Sequence, residues 1–238
     1  MEPILIVSTA THDRIPGTST EPEKILLGGP AHYLALALER LSAPFQILTN
    51  QGAEVEVVPT KTGEAYIIPA LAPIELPRSL TGSAVVLSPI MREIDPKTVP
   101  PIEGLLVIDI QGFVREPGVR TDHATGPYDL AALLRRADLV KASEDELGLL
   151  DEKSCQALAE TTVLATGGAR GARLVRGREE VQIDVNRVDG VHTIGAGDIF
   201  LASMTYEMVR GEPAEKAAVV AARFTEVFLL ERQSLGTP

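Results

Sequence analysis

Val191-His192-Thr193-Ile194-Gly195-Ala196-Gly197-Asp198-Ile199-Phe200 is the stretch on which the reading of this chain turns. Two glycines and an alanine lead into an acid, and an apolar helical pattern follows at once. Small residues let the backbone turn sharply and approach a ligand closely. A helix beginning there directs unpaired N–H groups and the positive end of its dipole outward, which favours an anion. An acid beside an anion site needs a chemical reason. One is offered if Asp198 removes a proton from a substrate hydroxyl while the amides of Gly195, Ala196 and Gly197 hold the phosphoryl group under attack. The plain alternative is a loop with an acid in the first helical turn, where the dipole favours it.

Outward from this stretch, the chain reads as alternating strands and helices. Ile4–Val7 is a continuous apolar run, expected as a buried strand, with a polar loop after it containing His12 and Asp13. In open α/β sheets ligands sit at the carboxyl ends of strands, so Asp13 is a candidate contact. Residues 14–27 are rich in Pro, Gly, Thr and Ser. Gly28-Gly29-Pro30 then opens a helix through Tyr33, Leu34, Ala37, Leu38 and Leu41, with proline suited to its first turn. Phe45–Thr49 reads as a strand, the segments 54–59 and 64–69 as a hairpin, and 70–83 as a connector. Ala84–Leu87 and Leu105–Ile108 are short apolar runs expected as parallel core strands. Asp95-Pro96 between them suits the start of a short helix. Asp109, Gln111 and Arg115 fall beyond the second run, either at a site or as helix caps and a surface Asp–Arg pair.

Further along, 128–136 reads as a helix and Leu139–Lys141 as a strand. Ser143 and Glu146 have the spacing of a capping box. Thr162–Ala165 is a strand running into Thr166-Gly167-Gly168-Ala169-Arg170-Gly171. A hairpin is expected over 172–176 and 181–185. A helix over 199–210 ends at Gly211, and Pro213 opens a last, alanine-rich helix over 214–230. The sum is an α/β chain with a doubly wound, mostly parallel sheet flanked by helices.

Composition narrows the function classes. The 238 residues suit one domain, and the net charge of -11 disfavours non-specific binding to nucleic acid or anionic membranes. A single cysteine, Cys155, excludes an internal disulfide and a cysteine-cluster metal site. No apolar run reaches the length of a membrane span, and the amino-terminal residues lack the basic start of a signal peptide. A cytoplasmic protein is the expectation. No Walker-type phosphate loop occurs.

Taken in order, these motifs resemble those of the ribokinase-like, PfkB-type carbohydrate kinases over nearly the whole chain. The marks are Asp13 after the first strand, Gly28-Gly29 at a helix start, Ser143–Glu146 after a middle strand, the 166–171 glycine loop and Gly195-Ala196-Gly197-Asp198 heading the penultimate helix. The resemblance implies one kinase domain over 1–238, with a small β lid from about 9–28 and 53–70. It implies ATP-dependent phosphorylation of an alcohol with Mg²⁺. It casts Asp198 as base, the 195–197 amides as anion hole, and Asp13, Gly28 and Gly29 on the substrate side. Thr166, Gly168, Gly171 and Thr193 fall on the nucleotide side, and Glu146 orients the hydrated metal. Asp109–Arg115 is similar to a stretch in a branch that includes inositol kinases, which adds Arg115 to the substrate side. The partner expected is a sugar, inositol or related polyol, the state a monomer or homodimer. A nucleoside kinase and a non-catalytic sugar- or nucleotide-binding member are the alternatives. The chain departs from the pattern at Tyr33 and Ser143, each where Asn is usual, and at Ile194, where Thr is usual. His192 stands where an acid is usual.

Overall fold

The computed structural model describes residues 1–17, 22–60, 63–118, 126–186, 188 and 193–235. Its frame is an eight-stranded sheet of β1 (Ile4–Ser8), β4 (Phe45–Leu48), β7 (Leu80–Ser88), β8 (Ile102–Asp109), β9 (Leu139–Ser143), β10 (Thr162–Thr166), β11 (Ala172–Arg176) and β12 (Glu179–Ile183). The order is β12-β11-β10-β9-β8-β7-β1-β4. The six strands from β10 to β4 run parallel, and β11 and β12 add an antiparallel edge. Strands covered on both faces read as unbroken apolar runs rather than alternation. Ile4 and Ile6 of β1 enter the core beneath α1 (Gly29–Arg40), α5 (Ala196–Val209) and α6 (Ala214–Leu235). Val7 faces the opposite core, with Leu106, Ile108, Leu133 and Leu134.

α5 is apolar on nearly every side because it is wedged between the sheet, α1 and α6. Ile199, Leu201, Ala202, Ser203, Met204 and Thr205 are all buried. α6 meets it through Ala217, Ala218, Ala221 and Ala222, whose small side chains permit close approach. The expected doubly wound architecture is therefore present.

A second sheet has the order β3-β2-β5-β6, from β2 (Thr11–Ile15), β3 (Lys24–Gly28), β5 (Ala53–Thr60) and β6 (Gly63–Ile67). It supplies the β element read from sequence, but by a different route. The polar stretch after β1 was expected as a loop; Thr11–Ile15 is instead a strand, and so is Lys24–Gly28. Along β2, Thr11 and Asp13 point inward and His12 and Arg14 outward. The inward face meets a polar cleft rather than a core, so the usual apolar alternation is missing.

Other local expectations shift for physical reasons. β7 begins at Leu80, inside the expected connector. No helix follows Asp95; its carboxylate accepts from the Lys97 amide at 2.9 Å and closes a turn. The expected 128–136 helix contracts to α2 (Ala131–Leu134), and α4 (Glu152–Leu158) starts on an Asp151 cap that accepts from the Ser154 amide at 2.8 Å. His192 lies outside the described residues.

Candidate active site

A cleft of about 100 Å³ opens between the two sheets at the carboxyl ends of β1 and β8. Asp13, Gln111, Arg115 and Asp198 supply its polar lining, and Val55, Tyr66, Ile68 and Ile90 an apolar wall. Asp13, Gly29, Arg115, Gly195 and Asp198, assigned to different parts of the sequence, thus converge on one place.

The floor is the turn before α5. Gly195 caps the helix with φ +78°, and a Cβ there would lie 2.3 Å from the Tyr33 ring. Only glycine fits both demands. Tyr33 packs directly under the turn. From α6 the Arg232 guanidinium donates to the Ile194 carbonyl at 2.9 Å and lies 5.5 Å above the Tyr33 ring centre. The turn is therefore held from α1 on one side and α6 on the other. The Asp198 and Ile199 amides bond back to the Gly195 carbonyl, and the Ala196 amide bonds to the Thr193 carbonyl at 3.0 Å. Thr193 itself is exposed.

Asp198 is half-buried as a residue, yet its Oδ1 is sealed from solvent without a hydrogen-bond partner. A buried carboxylate oxygen left unpaired is costly. Burial pushes the Asp198 carboxyl up to about 7; Lys141 opposes this, Asp109 adds to it, Arg115 opposes it and Glu146 adds to it.

Beneath the turn lies a buried ion pair. Lys141 Nζ donates to Asp109 Oδ2 at 2.7 Å, and Asp109 Oδ1 accepts from the Gln111 amide at 3.1 Å. Of the readings open for Asp109, the surface pair with Arg115 is not the one found: Asp109 is fully buried and its partner is Lys141. Burial works against the Lys141 charge, but the Asp109, Glu146 and Asp198 carboxylates outweigh it and raise its pKa. In the sequence Lys141 reads only as the end of a strand. The available signal was a lysine inside the apolar run Leu139-Val140-Lys141-Ala142.

On the opposite wall, Thr11 Oγ1 donates to Asp13 Oδ1 at 2.5 Å. A Cβ at Gly28 would fall 2.0 Å from Asp13 Oδ2, so this glycine makes room for the carboxylate. Gly29, at φ +77°, would bring a Cβ to 2.7 Å from the Thr9 carbonyl. Arg115 is carried on a segment held at both ends. The Arg92 amide donates to the Gly112 carbonyl at 2.9 Å, and Tyr128 donates to Glu116 at 2.7 Å.

Thr166, Gly168 and Gly171 do not line this cleft. They lie at the carboxyl end of β10, where Thr166 pairs in register with Ser143 of β9. Gly168 (φ +58°) has open space around it, whereas a Cβ on Gly171 would strike the Ile183 carbonyl at 2.5 Å. Glu146, in α3 (Glu144–Leu147), completes the capping box. Its Oε2 accepts from the Ser143 amide at 2.7 Å, and Ser143 Oγ accepts from the Glu146 amide at 3.2 Å. Ser143→Ala is expected to lower stability by about 1 kcal/mol, as loss of an N-cap does, read from the urea midpoint at unchanged m-value.

Known proteins similar to this chain are kinases by description. A family profile for pfkB family carbohydrate kinases matches residues 121–234. A putative sugar kinase of Pyrococcus horikoshii is 28% identical over 123 residues, covering 52% of this chain and 40% of that protein. An inositol 3-kinase of Arabidopsis thaliana is 28% identical over 141 residues, covering 56% and 38%. The chain thus spans about two fifths of the length of the curated relatives it matches. A solved structure described as a pyrophosphate-dependent kinase in the ribokinase family, with a pyrophosphate analog and myo-inositol, superposes with a TM-score of 0.73 at 20% identity, covering 95% of each chain. The fold is ribokinase-like. The sequence similarity to pfkB family carbohydrate kinases covers residues 121–234, and the shared fold covers 95% of the chain.

Proposed function

We propose that this protein is an ATP-dependent kinase phosphorylating a hydroxyl of a sugar, inositol or related polyol. The observation that carries the reading is the buried, unpartnered Asp198 Oδ1 at the head of α5, beside the left-handed Gly195 turn and at the edge of a polar cleft. A carboxylate with a pKa near neutral is suited to accept a proton at working pH. Asp198 takes the proton of the acceptor hydroxyl as that oxygen bonds to the γ-phosphorus of ATP. The bond from that phosphorus to the bridging oxygen breaks, and ADP leaves with the electron pair. The amides of Gly195 and Gly197, with the α5 dipole, stabilise the charge on the transferring group; the Ala196 amide, donated to the Thr193 carbonyl at 3.0 Å, joins them only by giving up that bond.

Asp13 accepts hydrogen bonds from acceptor hydroxyls, Arg115 donates to them, and Gly28 and Gly29 give backbone room. The apolar wall meets the C–H face of a ring. The glycine loop with Thr166, Gly168 and Gly171, together with Thr193, takes the nucleotide. The small sheet serves as the lid. A Mg²⁺ ion would neutralise charge on the donor phosphates. Among the described residues no group of three or more His, Cys, Asp or Glu could hold a metal directly. That fits an ion bound through phosphates and water, with Glu146 orienting a water of hydration. The names of the relatives, a sugar kinase and an inositol kinase, support the acceptor class.

The test is an ATP-to-ADP turnover screen with Mg²⁺ against sugars, polyols, inositols and nucleosides. Turnover with a polyol is expected. Binding without turnover would favour a non-catalytic binding protein, and turnover confined to nucleosides would displace the polyol. Turnover with pyrophosphate but not ATP would change the donor. In the same assay Asp13→Ala is expected to raise the acceptor KM by about tenfold or more while leaving the ATP KM within about twofold, since it removes binding to one partner alone.

A further inference from the structure

The Lys141–Asp109 pair has no part in the reaction as described, yet it sits directly below the turn that carries Asp198. A buried ion pair is a poor stabiliser, because the cost of desolvating two charges offsets their attraction. Its location therefore asks for another explanation. A Cβ on Gly197 would lie 3.2 Å from Lys141 Nζ and 3.4 Å from Cε, so the ammonium lies close beneath the residue preceding Asp198. The Asp198 Oδ1 that needs a counter-charge is sealed and accepts no hydrogen bond. Asp109, anchored by the Gln111 amide, fixes Lys141 from the opposite side.

We infer that Lys141 is the fixed counter-charge of Asp198, and that Asp109 is the anchor holding its ammonium beneath the 195–197 turn. Lys141 is thus a positioning residue acting through Asp198. The charged groups in play come from every neighbouring element: Asp109 at the end of β8, Arg115 on the segment after it, Glu146 on α3, Asp198 on α5 and the Tyr33 phenol on α1. Lys141 and Arg115 favour the Asp198 carboxylate; Asp109 and Glu146 oppose it. The Tyr33 pKa is raised, mainly by burial, with Asp13 and Asp198 adding to it and Arg232 opposing. Removing either member of the pair acts on stability in the same direction, whereas on the titration of Asp198 Lys141 and Asp109 act with opposite sign.

The inference rests on the proposed function only in calling Asp198 a base, and its test needs no substrate. The 13C carboxyl resonance of Asp198, assigned by its absence in Asp198→Asn, is titrated in aspartate-labelled wild type, Lys141→Met and Asp109→Asn. Removing a close opposite charge is expected to raise the Asp198 midpoint by about one pH unit or more in Lys141→Met. Asp109→Asn is expected to lower it. Shifts in the same direction, or no shift in either variant, would overturn the inference. Amide spectra establish that each variant is folded. If Lys141→Met does not fold, Lys141→Gln takes its place: a raised midpoint supports the counter-charge, and an unchanged or lowered one rejects it. Failure of the kinase reading would show in the turnover screen and leave this titration unaffected.

Discussion

Asp198→Asn is expected to lose at least about a hundredfold in kcat, as removal of a general base does, and at the same time to become more stable above neutral pH. Both effects come from the same carboxyl group. Asp198 is pushed up to about 7 by burial, with Lys141 as the main opposing influence. An unfolded aspartate ionises near 4. Below that pH both states carry the proton and ionisation has no effect on stability. As pH rises toward 7, the unfolded chain loses its proton first, so the folded state loses relative stability; above 7 the penalty is constant. Asparagine carries no such penalty. Thermal unfolding at pH 8 is expected to show the variant melting higher by about 10 °C, on the usual scaling of a few degrees per kcal/mol for this size, with the gap closing by pH 4. The wild-type kcat/KM should rise with pH through about 7 as Asp198 ionises. A variant that keeps wild-type activity, or that melts lower at pH 8, would remove Asp198 from the role assigned to it.

The second large effect is expected at Gly195. Gly195→Ala forces a side chain into a left-handed backbone and drives its Cβ to 2.3 Å from a Tyr33 ring that is only 5% exposed. The ring cannot swing away freely, because the turn is tied to Arg232 through the Ile194 carbonyl and the guanidinium covers the ring. Strain and overpacking together are expected to lower stability by about 2–4 kcal/mol. Turnover should also be lost, because the amides that face the phosphoryl group are displaced. Gly168→Ala is the control. It shares the positive φ but meets nothing within 4 Å, so only the backbone cost of about 1 kcal/mol is expected. Adding Tyr33→Ala to Gly195→Ala should restore part of the stability, as contacting residues are not additive. Equal losses at Gly195 and Gly168 in chemical denaturation would show that contact with Tyr33 is not the cause.

These two positions also show why some of the molecule was legible in the sequence and some was not. The parallel core strands announced themselves because both faces are buried, leaving runs such as Ile4–Val7 and Ala84–Leu87 with no polar interruption. The capping box at Ser143 and Glu146 was legible because its hydrogen bonds span three residues. β2 was hidden: its inward residues, Thr11 and Asp13, face a wet cleft, so the strand lacks the period-two apolar signal. Lys141 was hidden for a related reason, since the partners that make its burial tolerable are 32 residues away at Asp109 and on α5.

By itself, then, the sequence determined the strand–helix alternation, the turn residues with their glycines, and an order of motifs resembling that of the ribokinase-like family, because these depend on local geometry and burial pattern. Tertiary structure alone decided that Tyr33 and Arg232 clamp the Gly195 turn from two helices. It also decided that Asp109 pairs with Lys141 rather than Arg115, and that Asp13 and Asp198 share one cleft. Those facts depend on which distant segments the sheet brings to its carboxyl edge, and on charges felt through space in a dry interior, where neither spacing nor residue type identifies the partner.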